Sequence, residues 1–325
     1  RRCGDDRAAV VQFGERLGGE RVGGERGEAS LAVAEDEPLG TQRPDPGDPS
    51  VLDGGSGVRS ACLLEADEDE AYLETTEAAE TATVYEHCCR ALDRSLTQGA
   101  QGLPLMGTGD WNDGMNGVGR EGRGESVWVG FFLYATLPDW IEWAEQRGEP
   151  ERAARYHAYQ EQLRGALEAA WDGAWYRRAY YDDGTPLGSA SSDECKIDAI
   201  AQSWAVISNA VPRDRAAAAM DALEAHLVSQ EDGLIRLLTP PFDRTPHEPG
   251  YIKGYVPGIR ENGGQYTHGA LWAVRACAEL GRRDRAAAWL RMLTPVWHAE
   301  RERLATYQVE PYVVAPTNRP VRCNR

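Results

Sequence analysis

Between Gly102 and Trp128 the chain reads GLPLMGTGDWNDGMNGVGREGRGESVW, and at its centre Asp110, Trp111, Asn112 and Asp113 are consecutive between Gly109 and Gly114. Glycines on both sides let a backbone turn sharply and come close to a ligand. Two carboxyls, an indole and an amide in such a loop are the parts of a sugar-binding acid/base site. A glycosidic oxygen is a poor leaving group, so breaking its bond needs a carboxylic acid placed to protonate it, while an aromatic ring packs on the C–H surface of the sugar. One aspartate would be that acid, its proton held by desolvation, by the charge of the other aspartate and by Trp111. The other would bind hydroxyls or orient the loop. An Asx-rich turn, in which Asp110, Asn112 and Asp113 bond only their own backbone, uses the same residue types.

A second polar, glycine-flanked island, GYVPGIRENGGQYTHGALWA over Gly254–Ala273, runs straight into a helix carrying Ala270, Leu271, Ala273 and Val274. His268 lies near that helix start, where backbone amides and the helix dipole favour an anion. A structural histidine is the alternative for His268 taken alone. A third piece, KIDAIAQSWAVISN over Lys196–Asn209, spaces Ile197, Ile200, Ala201 and Trp204 at threes and fours and predicts an amphipathic helix. Gln202 and Ser203 on it face either the cleft or solvent.

The run LPLMGTGDWNDGMN followed by GRGESVW resembles the catalytic loop of glycoside hydrolase family 94, formerly glycosyltransferase family 36, the inverting phosphorylases for cellobiose, chitobiose and β-1,2-linked glucans. It is most similar to the phosphorylase-like C-terminal region of cyclic β-1,2-glucan synthases. ENGGQYTH and IDAIAQSWAV are similar to two further signatures of the family. The resemblance implies that Asp113 is the general acid and that Trp111 lines the donor-sugar pocket. It puts Glu261 and Gln265 with Asp110 and Asn112 in the sugar site, and makes His268 a ligand of inorganic phosphate. The implied reaction is reversible phosphorolysis of β-glucosides, in which Asp113 protonates the leaving oxygen while phosphate attacks the opposite face and gives α-glucose 1-phosphate. Phosphate is then a co-substrate, and neither a metal nor a cofactor is implied. An inverting hydrolase, with Glu261 or Asp110 serving a water, and an inactive carbohydrate-binding fragment are the alternatives.

The elements that must hold these loops are helical. VPRDRAAAAMDAL from Val211 and GRRDRAAAWLRML from Gly281 share an Arg-Asp-Arg-Ala-Ala-Ala core, and GEPERAARYHAYQEQL from Gly148 echoes it. Recurrent helix openings between loops predict stacked helical hairpins, in a solenoid or a closed toroid. Glu125 to Trp143 reads as a further helix with Trp128, Phe131, Phe132 and Ala135 on one face and Pro138 kinking or ending it. Trp171 to Leu187 reads as a hairpin excursion. Trp140, Trp143, Trp204, Trp272 and Trp289 are expected in the core, leaving Trp111 for a ligand. Fold class is therefore all-α; the resemblance implies an (α/α)6 barrel, incomplete in this chain, with a small β-hairpin excursion.

Composition narrows the partners. A net charge of −17 over 325 residues disfavours a nucleic-acid surface, and no apolar run approaches the roughly 20 residues of a membrane helix. RRCGDDRAAVVQ has no secretory core, and seven unpatterned cysteines read as reduced thiols, so a cytoplasmic location is expected. Adjacent His87, Cys88 and Cys89 point in different directions on a helix, against a metal site. The expected partners are a β-glucan or oligosaccharide and phosphate, with a homodimer or a larger synthase as the assembly. Residues 1–64 recur in Gly, Arg, Glu and Asp and predict a disordered or frame-shifted segment. Residues 65–315 carry the partial catalytic domain and 316–325 an unmatched tail. A barrel lacking helices leaves apolar faces uncovered, so weak stability and activity are expected of this polypeptide alone.

Overall fold

The computed structural model describes residues 81–302, so the expectations for residues 1–64 and 316–325 lie outside the described residues. Helix α1, Val84–Ser95, belongs to a unit of its own, Gln12–Ser95. It is capped by the Thr83 hydroxyl, which accepts from the Glu86 amide at 3.1 Å, and it buries Tyr85, Cys88, Cys89 and Leu92 on one stripe.

In the second unit two kinds of helix alternate. Helices α2 (Val127–Gln146), α4 (Ala199–Ile207) and α6 (Thr267–Glu279) are rich in apolar residues, and α4 buries every residue from Ala199 to Val206. Helices α3 (Pro150–Ala169), α5 (Arg213–Leu227) and α7 (Arg283–Met292) are more polar and bury one stripe each, for example Ala216, Ala219, Met220, Leu223 and Leu227 of α5. A helix apolar all round must be covered all round, whereas a one-sided helix belongs on an outer layer. The packing follows: α2 lies on α3, α4 on α5 and α6 on α7, while α2 and α6 flank α4. Three inner–outer hairpins result, with a last short helix, α8 (Pro295–Glu302), against α7. The three repeated openings of the sequence are the starts of α3, α5 and α7, the outer member of each hairpin.

Each inner helix supplies one indole to a common centre. Trp128, Trp204 and Trp272 meet with ring centroids 5.4 to 6.0 Å apart, so the inner layer is knitted by aromatic contacts that favour edge-on and offset geometries. Trp140 and Trp289 are buried as expected, while Trp143 is only half-buried. Helix α2 does not end at Pro138. A proline lacks the amide that would bond the carbonyl of Tyr134, four residues back, and Gln160 of α3 supplies a substitute, its Nε2 donating to Tyr134 O at 3.2 Å. The burial of α2 also surrounds the helix, from Phe131 through Tyr134, rather than following one face.

Short strands brace the loops. Strand β1 (Glu125–Ser126) runs directly into α2 and pairs with β2 (Ala179–Tyr180), which pairs with β3 (Pro186–Leu187), all antiparallel, in the register Ser126 to Ala179 to Leu187. This is the hairpin excursion expected from Trp171 to Leu187, enlarged by the two residues that had read as the start of a helix. Strand β4 (Ile197–Asp198) runs into α4 and pairs with β7 (Leu238–Thr239); β5 (Val228–Ser229) pairs with β6 (Leu234–Ile235). The glycine-rich loop has a small core of its own beneath it. Met106, Met115 and Val118 are buried with Leu187, Leu238, Phe242 and Ile252 in a cluster apart from the helices.

Three buried or half-buried carboxylates clasp loop backbone. Glu125 accepts from the amides of Gln101 and Leu103, Asp182 from Glu121, Arg123 and Gly124, and Glu194 from Asp243, Arg244 and Thr245, all at 2.7 to 3.0 Å. Carboxyl groups bonded by several amides in this way hold loops without regular structure.

Candidate active site

The residues singled out by type and spacing gather at the N-terminal ends of the inner helices. Asp113 opens a 3-10 turn, Asp113–Met115, whose cap is Asn112; the Asn112 side chain accepts from the Gly114 amide at 3.1 Å. Gly109 enters the turn at φ +144°, a conformation closed to other residues, and a side chain there would meet the Asp113 Cα. The carboxyl of Asp113 is exposed at the turn. Partial desolvation, then the charge of Asp110 and then that of Glu261, raise it above the ordinary aspartate value. Asp113 thus keeps its proton to higher pH than an ordinary aspartate, through its partial desolvation and through two neighbouring carboxylates, one from each glycine-rich island.

Trp111 lies across the same cleft. Its indole N–H donates to His268 Nδ1 at 3.1 Å, and its ring packs edge-on against Tyr266 at 5.2 Å and obliquely against Trp272 at 5.3 Å. Because Nδ1 accepts, the proton of a neutral His268 sits on Nε2, which makes that nitrogen a donor. His268 lies in the first turn of α6, so helix polarity adds to its attraction for an anion. Glu261 is largely buried; its Oε2 has no hydrogen-bond partner and lies 3.4 Å from Arg260 Nε. Arg260 is held at φ +51°, rare for a side chain of that size, with its guanidinium 4.7 Å from the centre of the Tyr255 ring. Tyr251 and Tyr266 share the field of Asp113 and Glu261. Half-exposed Tyr251 therefore stands at the mouth of the cleft.

Four candidates, Asp110, Gln265, Gln202 and Ser203, have side-chain atoms committed to hydrogen bonds within the protein. Both oxygens of Asp110 are taken: Arg178 donates through Nη1 and Nη2 at 2.6 Å each, Ser126 Oγ at 2.6 Å, and the Asn112 amide at 3.0 Å. Of the two roles open to it, binding hydroxyls or orienting the loop, the geometry fits the second. Gln265 is buried with Oε1 bonded to the Ile235 amide at 3.1 Å, so it ties the second island to β6. Gln202 bridges Tyr176 N and O at 2.8 Å, and Ser203 bonds the Ala199 carbonyl at 2.8 Å. Neither of these two faces the cleft or solvent, because α4 is buried on every side. Asn112 is also buried, and its Nδ2 has no hydrogen-bond partner.

Two charged residues that pattern did not single out complete the arrangement. Arg178 has no exposed side-chain surface; beyond its fork on Asp110 it lies 3.4 Å from Asp198, the N-cap of α4, whose carboxylate accepts from the Ile200 amide at 2.8 Å. Burial raises Asp198 to about 6, against the opposing pull of Arg178 and the Ile200 amide. A carboxyl whose folded value exceeds its unfolded value of 3.8 binds its proton more tightly in the fold, so stability falls as pH rises between about 4 and about 6 and then levels. Asp198→Asn is expected to remove that contribution, on the order of 1 to 3 kcal/mol across the window. Urea unfolding at pH 4, 5, 6 and 7 checks it; parallel curves for the variant and the parent would refute it.

The helical hairpins carry an exposed aspartate in an aromatic-lined cleft, and the family match gives the class, a catalytic domain of carbohydrate-active enzymes. Residues 59–318 match the glycosyl hydrolase 94 superfamily catalytic domain, and the chain belongs to that family. It is 51% identical over 255 residues to cyclic beta-(1,2)-glucan synthase NdvB of Rhizobium meliloti (strain 1021), covering 78% of this chain and 9% of that protein. It is 36% identical over 214 residues to 3-O-beta-D-glucopyranosyl-beta-D-glucuronide phosphorylase of Paenibacillus borealis, covering 64% and 27%, and 34% identical over 235 residues to N,N'-diacetylchitobiose phosphorylase of Vibrio furnissii, covering 71% and 28%. The chain spans less than a third of the length of each. Among the described residues no helix is long and apolar enough to cross a membrane.

Proposed function

We propose that this chain carries the centre for inverting phosphorolysis of β-glucosides, with β-1,2-linked glucan as the substrate class and inorganic phosphate as co-substrate. The observation that carries the reading is the hydrogen bond from Trp111 to His268, which ties the loop bearing the acid to the helix end suited to an anion. Asp113 gives its proton to the glycosidic oxygen as the bond breaks. Phosphate, held by His268 Nε2–H and the start of α6, attacks the anomeric carbon from the opposite face, so configuration inverts and α-glucose 1-phosphate leaves. Trp111 and the tyrosines of the cleft give the sugar its apolar contact, and Glu261 and the side-chain Nδ2 of Asn112, which has no hydrogen-bond partner within the protein, serve its hydroxyls. Similarity to the synthase of Rhizobium meliloti supports a place within a larger synthase, and the free thiols of Cys88, Cys89, Cys195 and Cys277 suit a reducing, cytoplasmic side for this part of it. A homodimer is the alternative assembly.

One observation favours hydrolysis as the second reading: Glu261 Oε2 lacks a hydrogen-bond partner and could serve a water. Incubation of the chain with β-1,2-gluco-oligosaccharides separates the two. Glucose 1-phosphate formed only with phosphate, at a rate that saturates with it, is the expected result. Equal release of glucose with and without phosphate would establish the hydrolase, and binding without product would leave a carbohydrate-binding fragment.

A further inference from the structure

We infer that Arg178 is a positioning residue for Asp113: its guanidinium locks the Asp110 carboxylate and, through it, the backbone that presents the acid. The inference rests on the function proposed above. Arg178 precedes β2 and is fixed there by its own backbone, its amide bonding Leu187 O at 2.8 Å and its carbonyl accepting from the Val127 amide at 3.2 Å. Its side chain is wholly buried and forks onto both oxygens of Asp110. The same carboxylate receives the Asn112 amide, one residue before the acid, and the hydroxyl of Ser126, which also caps α2 by accepting from the Val129 amide at 3.0 Å. Asp198, the cap of α4, faces the other side of the guanidinium. One side chain therefore joins the starts of two inner helices, the edge of the hairpin and the turn of Asp113.

Buried ion pairs contribute little net stability compared with apolar packing of the same volume. What a planar fork supplies is fixed geometry, because two parallel hydrogen bonds set both the distance and the rotation of the carboxylate. Lysine would keep the charge and lose the fork. Misplacement of a reacting group by about 1 Å is enough to cost on the order of a hundredfold in rate.

The test uses Arg178→Lys and Asp110→Asn in the whole chain, with rates expressed per folded molecule. Arg178→Lys is expected to lower kcat at least tenfold while KM for phosphate stays within twofold and the basic limb of the pH profile does not move. Asp110→Asn is expected to lower kcat similarly and to move that limb to lower pH, because a carboxylate that raises Asp113 has gone. The 13C resonance of the Asp113 carboxyl, assigned with Asp113→Asn, reports the same coupling without turnover. It should titrate at lower pH in Asp110→Asn and broaden or split in Arg178→Lys. Parental kcat per folded molecule in Arg178→Lys overturns the inference. If Arg178→Lys does not fold, Asp110→Asn decides, and parental kcat with a parental Asp113 midpoint overturns it. If the parent chain forms no glucose 1-phosphate, the proposed function falls, and the inference then stands or falls on the resonance alone.

Discussion

Asp113→Asn leaves sugar binding intact and lowers kcat for phosphorolysis by on the order of a thousandfold or more. General acid catalysis contributes about a hundred- to ten-thousandfold, and the upper part of that range fits a leaving group as poor as a sugar hydroxyl. Asparagine keeps the shape of the side chain, and nothing that shapes the turn depends on the Asp113 carboxyl: Asn112 caps it and Asp110 anchors it. KM should therefore change by no more than a few-fold. Two further readouts are specific to an acid. Asp113 is raised by desolvation, Asp110 and Glu261, so in the parent the rate should fall only above the ordinary carboxylate range, and in the variant that basic limb should vanish. A substrate whose leaving group needs no proton, β-glucosyl fluoride, which phosphate converts to α-glucose 1-phosphate as fluoride departs, should recover most of the rate. A variant retaining more than a tenth of the parental kcat, or one not rescued by the better leaving group, would remove Asp113 from the role of acid.

How far the sequence discloses this arrangement depends on the range of the interactions involved. The hairpins are legible because their determinants are local: the Arg-Asp-Arg-Ala-Ala-Ala openings carry a first-turn acid and a stripe of small residues, and they start α5 and α7. The two islands are legible as chemistry because consecutive polar residues between glycines rarely serve a core. Their contact is not, since Trp111 and His268 stand 157 positions apart and neither loop encodes the other's orientation. Arg178 is the clearest omission. It sits beside Arg177 in an aromatic-rich hairpin, and no periodicity says which of the two turns inward; Arg177 reaches the edge residue Asp172 at 2.7 Å, whereas Arg178 is buried against a carboxylate 68 positions away. Gln202 and Ser203 misled for a related reason. Polar residues on a one-sided helix face solvent, but α4 has no such side, and its polar groups bond backbone instead. Pro138 reads as kinking or ending the helix because the rule counts only local donors; the helix continues to Gln146, and the missing donor arrives from another helix.

The docking of the first island on the segment that leads into the second is also where the smallest chemical change should have a large effect. Gly117→Ala is expected to lower kcat on the order of a hundredfold while leaving the helices folded. The Gly117 amide bonds Pro249 O at 3.0 Å, and the Tyr251 amide bonds Asn116 Oδ1 at 3.1 Å, so the Asp113 turn is docked directly on the segment leading to Tyr251. A methyl group on Gly117 would run into Glu248 O and lie 2.8 Å from Gly250 N and 2.9 Å from the Pro249 carbonyl carbon. All three are backbone atoms. Backbone cannot swing aside as the end of a side chain can, so the loops must part, and a parting of about 1 Å displaces Asp113 from Glu261 and the rest of the cleft by enough to cost that factor. Gly165→Ala is the control. It lies inside α3 with no atom within 4 Å of the added methyl, so it should keep full activity and gain about 0.5 to 1 kcal/mol from helix propensity. Circular dichroism and kcat measured on both variants check the pair. An active Gly117→Ala would mean that the two loops do not need this docking to align the acid, and an inactive, unfolded one would mean that the docking supports the whole helical scaffold rather than the cleft alone.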